Sequence, residues 1–151
     1  EGYAAALQEA DIPVRDELIA QGYFTYRSGL DAAEQILALA DPPSAIFASN
    51  DDMAAATVAI AHRNGMDVPG DLTVCGFDDT SLSTTIWPEL TTIRQPISEM
   101  SREAVELLVR MLKSRRAIGK DDAAEHVVMD YTLIRRQSDA APRMRPRLGG
   151  R

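Results

Sequence analysis

Four side chains capable of binding a polar ligand each follow a predicted strand. Phe24 follows an apolar run over residues 17–22, Asn50 follows a second run, Asp78 a third, and Gln95 ends a short extended segment. In open α/β sheets, ligands bind outside the carboxyl ends of the strands. Carboxylate and amide groups hydrogen-bond vicinal hydroxyls, and an aromatic ring covers a C–H face. The combination favours a small polyhydroxylated ligand such as a sugar.

Each of these residues also has a purely structural interpretation. Asn50 and the neighbouring Asp51 are favoured helix N-cap residues whatever else they do. Asp78 is a common turn former, Phe24 fits a core position, and Gln95 fits a helix entry. These alternatives stay open for each residue alone. Their joint position at one predicted sheet edge favours the binding site.

Catalytic and metal-binding patterns are weak in this sequence. His62 and His126 lie far apart, and neither accompanies a serine or cysteine motif, so we expect no catalytic residues. No metal-ligand spacing and no glycine-rich phosphate loop is present, so we expect neither a metal nor a cofactor. Asp78 and Asp79 could suggest Mg²⁺ chemistry in an α/β enzyme, but adjacent side chains usually diverge. The sequence therefore predicts a binding protein and not an enzyme.

The elements that must position these residues alternate between helices and apolar strands. Helical patterns cover residues 2–10, from 28 or 31 to 39, 50–64 and 97–114, and strand patterns cover residues 17–22, 44–49, 72–75, 90–95 and 127–134. Apolar runs separated by helices are typical of βαβ units. We predict an α/β fold with a parallel sheet covered by helices on both faces, a three-layer α/β/α lobe.

Length and charge narrow the class further. The 151 residues suit one domain, and their net charge is −7. From Arg135 onward, six arginines against one aspartate give +5, so residues 1–134 carry −12 and would be repelled by DNA. The single cysteine, Cys75, excludes an internal disulfide, and neither a membrane span nor a signal peptide is recognisable. We expect a cytoplasmic protein whose residues 136–151 form a basic, disordered tail.

Four segments together resemble the LacI/GalR family of transcriptional regulators. They are GYAAAL at residues 2–7, PSAIFASNDDMA at 43–54, VPGDLTVCGFDD at 68–79 and PELTTIRQP at 88–96. The resemblance implies a periplasmic-binding-protein type I-like fold, incomplete and mostly of the second lobe, over residues 1–135. The helix at 96–115 packs on the first lobe in that family.

The resemblance also implies a function and its residues. In the family, the effector contacts fall at Phe24, Asn50, Asp78 and Gln95, and a further arginine contact would fall before residue 1. It implies the ligand-sensing part of a repressor that binds a sugar or related polyol and contacts operator DNA through a headpiece outside this chain. The alternative is a periplasmic sugar-binding protein of a transport system.

The resemblance further implies a homodimer. Residues 54–61 and 82–87, both apolar for surface positions, would contribute to its interface. The alternative for the alanine-rich segment is that it belongs to the core.

Overall fold

The computed structural model describes residues 2–117 and 126–140. Its elements, with two 3₁₀ turns at Asp16–Leu18 and Ser81–Thr84, are α1 Gly2–Glu9, α2 Tyr26–Leu37, β1 Ala45–Phe47, α3 Asp51–Arg63, β2 Thr73–Phe77, β3 Thr91–Arg94, α4 Ile97–Ala117 and β4 Thr132–Ile134. No helix in these ranges is long and apolar enough to cross a bilayer.

The four strands form one sheet in the order β1-β2-β3-β4. β1, β2 and β3 run parallel, whereas β4 is antiparallel to β3. The sheet is therefore mixed, with an antiparallel edge strand, and not wholly parallel as the apolar runs predicted. An apolar run indicates that a strand is buried, but it does not indicate in which direction the strand runs. Antiparallel edge strands are common on parallel sheets.

The core lies between one face of the sheet and the helices α2 and α3. Small side chains let these helices approach closely: a Cβ added at Gly29 would come within 2.7 Å of the Met53 Cα. Ala54, Ala56 and Ala61 of α3 are fully buried there. The prediction that residues 54–61 form a dimer surface is therefore wrong for this segment, because its small side chains serve the close contact with α2 and the sheet.

The opposite face of the sheet is largely open. Phe47 on β1 and Leu133 on β4 are exposed, and the apolar side chains of α4, such as Leu108 and Leu112, also face solvent. Two of the three expected layers are therefore packed together within residues 2–117 and 126–140, namely the sheet and the layer formed by α2 and α3.

Two further predictions differ from the structure. Residues 17–22 contain a 3₁₀ turn and then extended backbone outside the sheet, instead of a strand. Residues 136–140 are not disordered: Ser138 is fully buried and its Oγ donates to the Val74 carbonyl at 2.6 Å. The arginine-, proline- and glycine-rich composition of the tail indicates disorder only where no distant partner holds the segment. Residues 141–151 of the predicted tail lie outside the described residues.

Candidate functional site

The carboxyl edge of the sheet brings the four predicted residues into two pairs. Asp78 follows β2 directly and Gln95 follows β3 directly, while Asn50 lies between β1 and α3. Because β1, β2 and β3 are parallel neighbours, these three residues share one edge. Phe24 is tied to it by Asn50, whose Nδ2 donates to the Phe24 carbonyl at 3.1 Å.

Asp78 and Gln95 form the first pair. The Gln95 Nε2 donates to the Asp78 Oδ1 at 2.7 Å, and the Asp78 backbone N–H donates to the Ile93 carbonyl at 2.9 Å. Both side chains are half-buried. Among the described residues, the Asp78 Oδ2 and the Gln95 Oε1 have no protein donor, so the pair offers two oriented acceptors to a ligand that carries hydroxyl or N–H donors.

Phe24 and Asn50 form the second pair, in which Asn50 has a structural task. Its Oδ1 accepts a hydrogen bond from the Met53 backbone N–H at 3.0 Å, which caps α3, and its side chain is almost fully buried. Phe24, by contrast, is 67% exposed. The interpretation of Asn50 as a helix cap therefore accounts for the contact of its Oδ1. Its Nδ2 has a second task, because it fixes the position of the Phe24 backbone.

The backbone is strained at both pairs. Phe24 has a φ of +57° and Asp78 has a φ of +102°, in the left-handed region that L residues rarely adopt. Such a conformation costs about 1–3 kcal/mol and persists when surrounding contacts determine it, often at functional sites. Here the Asn50–Phe24 and Asp78–Ile93 hydrogen bonds supply such contacts.

Asp51 positions this edge from within the core, a role that the sequence did not reveal. Its carboxylate is fully buried, and its Oδ2 accepts hydrogen bonds from the Thr80 N–H at 2.6 Å and from the Thr80 Oγ1 at 3.1 Å. Its Oδ1 accepts from the Thr92 Oγ1 at 2.6 Å. A Cβ at Gly76 would collide with the same carboxylate. One side chain therefore joins the start of α3 to the loop after β2 and to β3.

Asp79 faces a different set of partners from Asp78. Its Oδ1 accepts from Arg136 at 2.6 Å and from the Ser83 Oγ at 3.1 Å, and its Oδ2 accepts from Arg94 at 2.6 Å. Burial alone would raise the pKa of the Asp79 carboxyl, but the hydrogen bonds from Arg136, Arg94 and Ser83 together lower it. Both oxygens are engaged and neutralised, which does not fit the alternative of a Mg²⁺ site at Asp78 and Asp79.

Arg136 is the residue of this network that the sequence least suggested. It lies 57 positions after Asp79, its guanidinium also donates to the Leu90 carbonyl at 2.8 Å, and it is mostly buried. The signal available in the sequence was an arginine just after the last strand, which composition alone assigned to the tail. In the described ranges, no group of three His, Cys, Asp or Glu residues is placed to hold a metal ion.

Comparison with known proteins agrees with this architecture. The family model for the periplasmic binding protein-like domain matches residues 1–138. The HTH-type transcriptional repressor CytR of Escherichia coli K12 is 39% identical over 141 residues, which are 93% of this chain and 40% of CytR. The chain thus spans less than half the length of this relative.

Solved structures give the same result. A sugar-binding transcriptional regulator of the LacI family from Escherichia coli, complexed with phosphate, is 35% identical with a TM-score of 0.80, over 93% of this chain and 49% of that one. A transcriptional regulator CelR–cellobiose complex is 33% identical with a TM-score of 0.79, over 91% of this chain and 40% of that one. The chain belongs to the periplasmic binding protein-like domain family, and its homologues are regulators of the LacI type.

Proposed function

We propose that this chain is the ligand-sensing part of a LacI-type transcriptional repressor that binds a sugar or related polyol at the carboxyl edge of its sheet. The observation that carries the proposal is the Asp78–Gln95 pair, which orients two acceptors at that edge. A vicinal diol can donate to both acceptors at once. The similar proteins include one named a sugar-binding regulator and one named as a complex with cellobiose.

Each of the four residues has a distinct role in this proposal. Asp78 and Gln95 accept hydrogen bonds from ligand hydroxyls, and the exposed Phe24 ring covers an apolar face of the ligand. Asn50 holds the Phe24 backbone at the site and has one further amide hydrogen to offer. The other wall of the cleft would come from the part of the polypeptide that corresponds to the remainder of the relatives.

Two other functions fit less well. A periplasmic sugar-binding transport protein would share the fold, but the similar proteins named above are transcriptional regulators. An α/β enzyme that uses Asp78 and Asp79 would need a free second carboxylate, and Asp79 is held by Arg94 and Arg136. We therefore propose a sensor without catalytic activity that acts in the cytoplasm.

The remaining partners follow from the proposed role. Operator DNA would be contacted by a headpiece outside this acidic chain. With residues 54–61 in the core, a homodimer interface would rest on residues 82–87, where the Trp87 side chain is 74% exposed. Aromatic side chains are enriched in the buried centres of such interfaces.

The test is a binding measurement on the polypeptide at the full length of its relatives. Calorimetry with a panel of neutral mono- and disaccharides first identifies a ligand. Asp78→Asn should then weaken binding about tenfold or more, because one acceptor becomes a donor while the side-chain shape is kept. The melting temperature should stay near that of the wild type.

The matched control is Asp52→Asn, which changes another partly exposed aspartate, one that makes no side-chain hydrogen bond within the described residues. This control should bind like the wild type. If Asp78→Asn binds the sugar unchanged, or if its loss of binding only follows a loss of stability, Asp78 is a turn residue and the proposed site is wrong.

A further inference from the structure

The turn that follows β2 contains two consecutive residues with a left-handed backbone. Asp78 has a φ of +102° and Asp79 has a φ of +54°, and neither residue is a glycine. L residues rarely adopt this conformation, and it persists only where the surrounding contacts determine it. The contacts that hold this turn therefore also determine where the Asp78 carboxylate lies.

The two ends of the turn are held by different groups. At the first end, the Asp78 N–H donates to the Ile93 carbonyl at 2.9 Å. At the second end, the Asp79 carboxylate accepts from Arg136 at 2.6 Å through its Oδ1 and from Arg94 at 2.6 Å through its Oδ2. We call Asp79 together with these two arginines the Asp79 clamp. The clamp fixes the residue that follows Asp78, and so limits how the turn can rotate.

The two arginines of the Asp79 clamp differ in burial. The Arg136 side chain is 12% exposed, whereas the Arg94 side chain is 57% exposed. Exposed ion pairs contribute little because water and salt screen them. A charge-assisted hydrogen bond away from water is stronger, because the local dielectric constant is lower. Arg136 therefore provides most of the restraint on Asp79.

Arg136 is itself held by the strand that leads to Gln95. Its backbone N–H donates to the Thr91 Oγ1 at 2.8 Å, and its guanidinium donates to the Leu90 carbonyl at 2.8 Å. Thr91 is the first residue of β3, Leu90 precedes it, and Gln95 follows the strand directly. Arg136 thus joins Asp79 to β3, so that the turn after β2 is fixed relative to Gln95.

We propose that Arg136 is a positioning residue of the ligand site, which acts through Asp79 to hold the Asp78 carboxylate beside Gln95. The inference rests on the proposed function, in which Asp78 and Gln95 accept hydrogen bonds from the sugar. Without Arg136 both acceptors are still present, but they are less well oriented. Hydrogen bonds weaken steeply when their geometry is lost, so the affinity for the sugar falls.

A double-mutant cycle tests whether Arg136 acts through Asp78. The dissociation constant of the sugar is measured by calorimetry on the polypeptide at the full length of its relatives, at a temperature at which circular dichroism shows every variant folded. Arg136→Met should weaken binding about tenfold in the wild-type background. In the Asp78→Asn background the same change should weaken binding less than about twofold, because the oriented acceptor is already lost.

Arg135→Met is the matched control, because it removes the adjacent arginine, whose guanidinium donates to Asp139. This variant should bind the sugar like the wild type. A loss of affinity from Arg136→Met that is equal in both backgrounds would overturn the proposal. So would a loss no larger than that of Arg135→Met.

Hydrogen exchange without ligand separates this inference from the proposed function. In Arg136→Met, the Asp78 amide should exchange at least about tenfold faster than in the wild type. The Ala54 amide, which donates to the Asn50 carbonyl at the start of α3, should be accelerated much less. Equal acceleration of the two amides would overturn the role of Arg136, whether or not a sugar binds. Sugar binding that Asp78→Asn leaves unchanged would instead refute the proposed function.

Discussion

The two sides of the sheet are held in opposite ways. On the β3 side, Asp79 binds two arginines, and Ser138 lies between β2 and β3, where its carbonyl accepts from Val74 and its Oγ accepts from the Thr91 N–H. On the other side, the sheet of the described residues ends at β1, and Phe24 is held through its carbonyl by the Asn50 amide. The acceptor pair of the proposed site lies beside the region that Asp79 and Ser138 hold, which we call the pinned side. Phe24 lies in a region that one side-chain hydrogen bond, from Asn50, joins to the edge of the sheet, and we call it the looser side.

This difference suggests a division of tasks at the site. Oriented acceptors are effective when their positions are fixed, because a misplaced hydrogen bond contributes little. An aromatic face tolerates more displacement, since its contact with a sugar is not directional in the same way. We infer that the pinned side sets which hydroxyls are recognised and that the looser side sets how closely the ligand is covered.

The largest expected effect is the loss of the buried carboxylate on the pinned side. Asp51→Ala removes the acceptor for Thr80 and Thr92 and leaves the fully buried Thr92 hydroxyl without its partner in the core. We expect the free energy of unfolding to fall by about 3 kcal/mol or more. Urea denaturation followed by circular dichroism measures it.

Asp52→Ala is the control for that change, because it removes an adjacent aspartate of the same helical turn. It should alter stability by no more than about 0.5 kcal/mol. An Asp51→Ala protein as stable as this control would show that Asp51 does not hold the pinned side together.

A smaller effect is expected where an ion pair is removed and its partner keeps other contacts. Arg136→Met should destabilise the chain by about 2–3 kcal/mol, because Asp79 stays buried with a single arginine. Arg94→Met removes the more exposed guanidinium and should cost less than about 1 kcal/mol. If the two variants lose equal stability, the buried Arg136–Asp79 pair contributes no more than the more exposed Arg94–Asp79 pair. The difference expected from the burial of the two arginines would then be wrong.

The smallest expected effect is the loss of stability at acidic pH. Burial raises the pKa of the Asp139 carboxyl, but hydrogen bonds from Arg135 and Thr91 lower it overall, as the arginines do for Asp79. A carboxyl with a lowered pKa in the folded state contributes stability that is present above about pH 4 and is lost as the pH falls through the lowered value. Hydrogen exchange between about pH 5 and pH 3 should show opening at residues 136–140 before opening at α2.

Asp79→Asn supplies the comparison for the acid experiment, since its amide does not titrate in this range. Its stability should depend less on pH below about pH 4 than that of the wild type. A wild-type profile with the same pH dependence as that of the variant would mean that the pKa of the Asp79 carboxyl does not change on folding.

The sequence predicts the parts of this protein whose order is local or follows from apolar burial. The cap at Asn50, the helix at Asp51–Arg63 and the strand at Thr73–Phe77 all follow from residue type and spacing, although the burial of residues 54–61 was only the alternative to a dimer surface. Asp78 and Gln95 could be placed at one edge because parallel strands end together, and their hydrogen bond fits that prediction.

The sequence fails where order depends on a distant partner. The polar composition of residues 136–140 indicates disorder, yet Arg136 and Ser138 are ordered by Asp79, Val74 and Thr91. The strand predicted at residues 17–22 is wrong for the opposite reason. Its pattern is that of a strand, but a strand also needs a neighbour with which to pair, and these residues pair with none of the four described strands. The buried position of Asp51 was equally hidden, since Thr80 and Thr92 are recognisable as its partners only after folding.

The left-handed backbone at Phe24 constrains how the proposed site can be re-engineered for new ligands. Every non-glycine residue at that position carries the cost of a φ of +57°, and β-branched residues carry more of it than asparagine or histidine do. Exchanges among Phe, Tyr, Trp and His can therefore vary the ring at the proposed site at nearly constant backbone cost. A library at this position is best restricted to those rings together with asparagine and glycine, because valine or isoleucine would confound a change of specificity with a loss of stability.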